Sequence, residues 1–203
     1  MIYEELYAFD AEKRQQLGCI IGVDEAGRGP LAGPVCCAAV LFRGDERFEW
    51  LNDSKKVSEK RREVLFEQIK QRCVAYHIEL IDNETIDELN ILGATMLGMQ
   101  RCVDVLAAHG AAAALIDGNR CPAASLHCEA VVKGDAHSAS IAAASVLAKV
   151  TRDRYMQQLH EQYPQYGFAV HKGYPTKAHY AALETYGVTP VHRRSFLKGR
   201  GLV

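Results

Sequence analysis

Apolar residues along this chain form several short runs, each closed by glycine or polar residues. Runs of this length, continuous or alternating with polar positions, are typical of β-strands. The predicted strands are Cys19–Val23, Val35–Phe42, Val74–Leu80, Ala111–Ile116 and His127–Val132. Two successive strands, followed by strands that alternate with helices, favour an α/β domain with a mixed sheet.

Helical spacing of apolar residues occupies much of the chain between and after these strands. The predicted helices are Ser58–Arg72, a short acidic stretch Asp82–Leu89, Ile91–Ala108 and Ser138–His160. Ser58 is a favourable N-cap residue, and the His109-Gly110 pair is a favourable stop for the third helix.

The last of these helices is apolar around most of its circumference, so it is expected to be buried. A sector roughly 60° wide, at 100° per residue, carries small polar and basic side chains instead. They are Ser138, Ser145, Lys149 and Arg152. Such a stripe should face a charged group. That group is the cluster of acids itself or a phosphate beside the cluster, and a purely structural ion pair is the alternative.

The chain has 203 residues, 48% of them hydrophobic, and no linker or repeat, which favours one domain over residues 1–203. Its seven cysteines include no CxxC pair, and we see no signal peptide, so we expect free thiols in a reducing cytoplasm. No apolar stretch approaches the roughly 20 residues of a membrane helix. A soluble, cytoplasmic protein without membrane contact is therefore expected.

The net charge of −1 conceals two basic segments. Ser54–Arg62 holds five Lys and Arg residues against Glu59 alone, and residues 171–203 hold six against Glu184 alone. Basic segments on either side of an acidic centre suit a polyanionic partner held by its phosphates. For each segment taken singly, the alternative is an ordinary solvent-exposed charged face.

Two acids stand side by side at the end of the first apolar run, directly before a glycine-rich turn. Asp24 and Glu25 lose hydration there unless a cation or hydrogen bonds replace it. The following Gly27-Arg28-Gly29 lets backbone N–H groups approach an oxygen-rich ligand closely. Two solvated acids at the start of a hairpin are the alternative interpretation.

Asp117 ends another buried strand and Asp135 precedes the long apolar helix, so both could join Asp24 in one cluster. A hairpin turn at Asp117-Gly118 and a helix cap at Asp135 are the structural alternatives. Clustered carboxylates favour Mg²⁺ or Mn²⁺, and two such ions about 4 Å apart can hydrolyse a phosphodiester. Strand alternation places Asp24 and Glu25 on opposite faces, so Glu25 is expected to join only through a bend or its backbone carbonyl.

Six blocks along the chain together resemble one family. They are VDEAGRGPLAGPV at 23–35, LNDSKKVSEKRRE at 51–63, LIDGN at 115–119, KGDAHSASIAAASVLAKVTRDR at 133–154, HKGYPTK at 171–177 and HRRSF at 192–196. The resemblance is to bacterial ribonuclease HII. It implies a ribonuclease H-like fold, with a five-stranded mixed sheet flanked by helices and a small helical C-terminal region at about 171–203. It also implies an endonuclease that hydrolyses RNA in RNA–DNA hybrids and incises 5′ of single ribonucleotides in duplex DNA, leaving 3′-hydroxyl and 5′-phosphate ends.

The resemblance also implies residue roles. Asp24, Glu25, Asp117 and Asp135 match the four catalytic, metal-binding acids, which would hold two Mn²⁺ or Mg²⁺ ions. Gly27, Arg28 and Gly29 match the turn that senses the 2′-hydroxyl, the group that distinguishes RNA from DNA. Tyr174 matches the tyrosine that stacks on the following deoxyribose. The expected phosphate contacts are Ser54, Lys55 and Lys56, with Lys149 and Arg152 as further ones.

Some expectations are negative. The chain lacks the Gly-Lys-Ser/Thr that a nucleotide-binding P-loop needs, and four intact acids argue against a non-catalytic hybrid-binding module. No histidine has a partner at metal-ligand spacing, although His171 lies in a motif. The tail Leu197–Val203 departs from the family's ending. We expect a monomer, and Gln15-Gln16-Leu17 is too weak a match to indicate contact with a sliding clamp.

Overall fold

A mixed sheet of five strands lies at the centre of the computed structural model, which describes residues 1–201. The strands are β1 (Ile20–Ala26), β2 (Val35–Leu41), β3 (Ala75–Ile81), β4 (Ala113–Asp117) and β5 (His127–Val131). Their spatial order is β3-β2-β1-β4-β5, with β1, β2 and β3 antiparallel and β4 and β5 parallel to β1. The expected mixed sheet is therefore confirmed. Leu202 and Val203, the end of the divergent tail, lie outside the described residues.

Helices cover both faces of this sheet and form the C-terminal region. They are α1 (Glu4–Leu17), α2 (Glu59–Arg72), α3 (Asn83–Ala107), α4 (Ala139–Gln162), α5 (Phe168–His171), α6 (Lys177–Tyr186) and α7 (Arg194–Leu197). Short 3₁₀ turns occupy Gly134–Ala136, Pro164–Tyr166 and Lys198–Arg200. The helical C-terminal region agrees with the resemblance. None of the helices in the described part of the chain is both long and apolar enough to cross a membrane.

Local sequence explains where α4 begins and where α3 is interrupted. Ser138 caps α4, because its hydroxyl accepts a hydrogen bond from the Ile141 N–H. The two helices predicted between Asp82 and Ala108 form the single element α3, which is interrupted at Asn90 by non-helical backbone. The Asn90 side chain then accepts hydrogen bonds from the next turn and restarts the helix. The predicted break between the two helices is thus confirmed.

Alternate residues of the central strands face two different helical layers. Ile21 and Val23 of β1 pack in the cluster that includes α3, whereas Ile20 packs with Ile141 of α4 on the opposite face. Helices α1 and α2 join α4 on that second face. Most residues of α4 from Ala139 to Leu159 are buried, as its apolar circumference predicts.

The start of α4 is fixed by a buried carboxylate from α1. Asp10 accepts hydrogen bonds from the Ser138 hydroxyl at 2.6 Å and from the Ser140 N–H at 2.8 Å. Burial raises the pKa of Asp10, although these hydrogen bonds favour the ionised form. The contact ties α1 to the turn that carries Asp135.

The closest approach between α4 and the sheet occurs at a glycine of β1. A Cβ atom added to Gly22 would lie 2.1 Å from the carbonyl carbon of Ser140 and 2.2 Å from the nitrogen of Ile141. Both are backbone atoms of α4, so neither can move without moving the helix. Glycine at this position therefore sets the distance between α4 and β1.

We predict that Gly22→Ala lowers the free energy of unfolding by about 3 kcal/mol or more, because overpacking against backbone cannot be relieved by a side-chain rotation. Urea unfolding followed by circular dichroism measures the change. Gly199→Ala is the matched control, since nothing lies within 4 Å of an added Cβ there. Equal unfolding midpoints for the two variants would show that α4 does not depend on this contact.

Candidate active site

Two of the four predicted acids lie at the adjacent ends of neighbouring parallel strands. Val23 of β1 pairs with Ile116 of β4, so the next residues, Asp24 and Asp117, are neighbours at the same edge of the sheet. Asp24 is buried on the α4 side, where the Ser145 hydroxyl hydrogen-bonds its carboxylate. The expected juxtaposition of these two strand ends is confirmed by the sheet register.

Asp135 reaches the same place through the 3₁₀ turn between β5 and α4. The Asp117 carboxylate accepts a hydrogen bond from the Gly134 N–H at 2.6 Å and a longer one from the Asp135 N–H at 3.4 Å. Asp117 therefore holds the backbone of the turn that presents Asp135. The alternative that Asp135 caps the long helix is wrong, because Ser138 is the cap of α4.

Glu25 lies beside the other three acids but on the opposite face of β1. The strand stays extended through Ala26, with Asp24 opposite Ala38 and Glu25 opposite Cys37 of β2. The Glu25 side chain is half-buried and lies 3.5 Å from the Arg28 guanidinium. The expected bend is absent, so the backbone carbonyl is the remaining route by which Glu25 could supply a ligand. Its carboxylate acts on Asp24 through its charge.

The charges of this cluster repel one another. Burial raises the pKa of Asp24 well above its usual value, and the charges of Glu25 and Asp117 raise it further. Burial also raises the pKa of Glu25. The charge of Arg28 lowers this pKa, and the charge of Asp117 raises it. For Asp135, burial and the charges of Asp117 and Asp53 raise the pKa to about 6. The cluster therefore binds positive charge, as either protons or a cation.

The donor chemistry fits a hard divalent cation. All four groups are carboxylates, and oxygen-only ligand sets are preferred by Mg²⁺ and Mn²⁺. In the described part of the chain, no three Asp, Glu, His or Cys side chains converge closely enough to hold one metal ion as they stand. Asp24 and Asp117 each accept a backbone hydrogen bond that fixes their present orientation. Both carboxylates are thus held by the backbone at the same edge of the sheet.

Lys55 adds a cation above the acids. Burial acts to lower the pKa of Lys55, but the carboxylates of Asp53, Asp135, Asp24 and Asp117 outweigh it and raise the pKa. Beside it, the Ser54 hydroxyl lies 2.9 Å from the Ser145 hydroxyl, which in turn bonds Asp24. The Ser54-Lys55 segment is therefore attached to the acid cluster, as expected for it.

A cavity of about 300 Å³ adjoins the acids and contains most of the predicted substrate-binding residues. Those that line it are Gly27, Arg28, Gly29, Ser54, Lys55, Lys149, Arg152 and Tyr174, together with Glu25. The Tyr174 ring lies against Gly29, since a Cβ added to Gly29 would be 3.6 Å from the ring. The glycine turn and the tyrosine thus form two sides of one pocket.

The glycine turn is held by two buried arginines. A Cβ added to Gly27, whose φ is +95°, would lie 1.9 Å from Nε of Arg152. On the other side, the Arg193 guanidinium donates to the carbonyl oxygens of Gly27, Arg28 and Gly33 at 2.7, 2.9 and 2.9 Å. Arg193 is not among the residues predicted for the site, although it lies in the HRRSF block.

Three of the expected phosphate contacts differ in the structure. Arg152 is buried, and its three guanidinium nitrogens donate to the backbone carbonyls of Pro34, Lys172 and Ala32. It shapes the floor of the pocket by these bonds. Lys149 forms an ion pair with Asp153 at 2.7 Å, the structural partner considered above, while still lining the cavity. Lys56 lines a separate cavity with Trp50 and Arg61.

A family model and a similar protein agree on one family, and two similar solved structures share the fold. The family model described as Ribonuclease HII matches residues 21–198. The ribonuclease HII of Dechloromonas aromatica (strain RCB) is 58% identical over 180 residues, which are 89% of this chain and 91% of that protein. The crystal structure of the ribonuclease H2 from Pyrococcus horikoshii OT3 has a TM-score of 0.74 at 24% identity, over 90% of this chain and 96% of that one. The crystal structure of Bst-RNase HIII in complex with Mn²⁺ has a TM-score of 0.56 at 22% identity, and the match covers 73% of this chain and 56% of that one.

Asp135→Asn tests the repulsion within the acid cluster. A raised carboxylate pKa means that the folded state binds the proton more tightly, so stability is lost as pH rises from 3.8 through about 6. The variant removes this loss, so without metal at pH 7 it should melt at the wild-type temperature or a few degrees above it. Adding Mg²⁺ should then stabilise the variant less than the wild type.

Differential scanning fluorimetry from pH 4 to 8, with and without Mg²⁺, measures both effects. Asp45→Asn is the control, because Asp45 is an exposed carboxylate of the loop after β2. It should follow the wild-type curve. A metal-free Asp135→Asn variant that melts well below wild type and responds fully to Mg²⁺ would place Asp135 outside the cluster.

Proposed function

This chain belongs to the ribonuclease HII family of metal-dependent endonucleases, and we propose that its four clustered acids hold two divalent cations. Its activity is cleavage of RNA in RNA–DNA hybrids and of ribonucleotides embedded in duplex DNA. The implied ribonuclease H-like fold is confirmed. The proposed ligands and catalytic residues are Asp24, Glu25, Asp117 and Asp135.

The observation that carries this proposal is the adjacency of Asp24 and Asp117, with Asp135 held by the Asp117 carboxylate. Mg²⁺ or Mn²⁺ ions bound there would supply an activated water and stabilise the leaving oxygen of the phosphodiester, giving 3′-hydroxyl and 5′-phosphate ends. Ser145 orients the Asp24 carboxylate toward the site. Gly134 orients Asp117 in the same way, through its backbone N–H.

Recognition of the ribonucleotide falls to the pocket between the glycine turn and Tyr174. The turn Gly27–Gly29 would read the 2′-hydroxyl, because its glycines let the backbone come within hydrogen-bonding distance of a sugar. Tyr174 is 41% exposed and would stack on the deoxyribose that follows. Together they place the cut on the 5′ side of the ribonucleotide.

Phosphate binding is assigned to the basic residues at the rim of the same cavity. Lys55 lies close enough to the acids to contact the phosphate next to the cut, and Lys149 extends the rim. Lys56 would hold the backbone further away. Arg152 contributes to substrate binding by holding the pocket rather than by direct contact.

We propose the remaining features as the sequence predicts them. The single domain 1–203 would act as a monomer in the cytoplasm, with residues 171–203 contributing to substrate binding through Tyr174. Gln15 and Gln16 lie near the end of α1, and we assign them no contact with a sliding clamp.

We predict that Asp24→Asn cleaves a duplex with one ribonucleotide ~100-fold to ~1000-fold more slowly in Mg²⁺, because a neutral amide would hold a divalent cation much more weakly than a carboxylate. Binding should persist, since the amide oxygen can still accept from the Glu25 N–H. Gel-based cleavage and fluorescence anisotropy measure the two properties, and Asp45→Asn is again the control. Retention of more than about a tenth of the wild-type rate would remove Asp24 from the metal site.

We predict that Tyr174→Ala loses most activity on a single ribonucleotide but retains more on long RNA tracts, because it removes a junction contact and leaves the acids intact. The two rates are measured under the same conditions, and the wild type should leave all-DNA duplex uncut. Tyr186→Ala is the matched control, because Tyr186 is also exposed but does not line the cavity. Equal losses on both substrates would assign Tyr174 to general binding.

A further inference from the structure

The backbone that carries Tyr174 is held by a pair of buried histidines. His179 is fully buried and its Nδ1 lies 3.0 Å from the Tyr174 carbonyl oxygen. Its Nε2 lies 3.1 Å from Nε2 of His192, which is 1% exposed. Nδ1 of His192 lies 3.0 Å from the backbone nitrogen of Thr189. A continuous chain of hydrogen bonds thus runs from Thr189 to the loop that bears the tyrosine.

The direction of this chain follows from its two ends. The Thr189 N–H can only donate, so Nδ1 of His192 accepts and the proton of the neutral ring lies on Nε2. Nε2 of His192 then donates to Nε2 of His179, whose own proton lies on Nδ1 and donates to the Tyr174 carbonyl. Burial lowers the pKa of both histidines to about 4, which keeps both rings neutral.

The next residue along the chain holds the opposite side of the same pocket. Arg193 donates to the carbonyl oxygens of Gly27 and Arg28, the backbone of the glycine turn. Its own N–H donates to the Leu31 carbonyl, and the Leu31 N–H donates to the carbonyl of Gly173, one residue before Tyr174. Two adjacent residues therefore reach both sides of the pocket through hydrogen bonds.

We propose that His192 and Arg193 are positioning residues that fix the spacing between the Tyr174 ring and the Gly27–Gly29 turn, and so set the preference for a single ribonucleotide. The inference rests on the proposed roles of the turn and the tyrosine. A ribose with its 2′-hydroxyl and the following deoxyribose must fit both sides at once, so a displacement of one side acts on junction recognition. Misplacement by 1 Å can cost up to ~100-fold in rate.

His192→Phe is the informative substitution, because it keeps a ring of similar size and removes the donor to His179. The measured quantity is the ratio of the rate on duplex DNA with one ribonucleotide to the rate on a long hybrid. We expect this ratio to fall by roughly tenfold, because a displacement of the tyrosine by less than 1 Å should cost less than the ~100-fold that a 1 Å displacement can cost. The ratio does not depend on the fraction of folded enzyme, since the same molecules cut both substrates.

His192→Gln is the conservative variant. Its amide nitrogen is as many bonds from Cβ as Nε2 of histidine, so it can still donate to His179. We expect it to return the ratio to within about threefold of wild type, since the donor is restored. Leu183→Ala is the structural control, because Leu183 is buried in the same C-terminal cluster on α6. It should lower the melting temperature and leave the ratio unchanged.

A double variant separates action through Tyr174 from an independent effect. Once Tyr174→Ala has removed the ring, adding His192→Phe should lower the ratio no further. If the double variant lowers the ratio by the product of the two single losses, or if His192→Phe alone keeps the wild-type ratio, the positioning role is overturned. The role of Tyr174 then still stands. An unchanged ratio in Tyr174→Ala alone would overturn both the junction role and the positioning role that depends on it.

Discussion

The close contact between α4 and β1 determines where the chemistry of this protein can lie. Gly22 allows the helix backbone to rest on the strand, two residues before Asp24. Asp10 fixes the rotation of the helix by holding Ser138 and Ser140. Ser145, almost two turns further along, then faces the Asp24 carboxylate. The acid cluster is thus a consequence of how one helix is seated on one strand.

A second constraint is the burial of two arginines, Arg152 and Arg193, which form no ion pair with a carboxylate in the part of the chain that the structure describes. Arg152 and Arg193 are held by backbone carbonyls, and burial lowers the pKa of both, that of Arg193 to about 9 with the nearby charge of Arg152 contributing. A buried guanidinium is costly unless its donors are satisfied. Carbonyl oxygens from several loops satisfy them here. Each arginine therefore fixes several loops at once and gives the glycine turn a rigid seat.

Sequence patterns predicted the parts of the site that depend on strands and helices. Asp24 and Asp117 could be placed together because buried parallel strands end at a common edge, and Ser145 because it shares a helical sector with Lys149. The partner of Arg152 could not be predicted, since helical spacing gives the direction of a side chain but not the group it meets. Arg193 was missed because its targets, Gly27 and Arg28, are 166 and 165 residues away. Helix α1 was missed because few of its residues are buried.

The hydrogen bond from Arg193 to Gly27 also concerns how the protein is made. A ribosome adds residues in order, and domains generally fold as they emerge. All four acids are synthesised well before Arg193, so a growing chain carries its complete set of carboxylates without the arginine that seats the glycine turn. The pocket between the glycine turn and Tyr174 is therefore among the last parts of the molecule to be assembled.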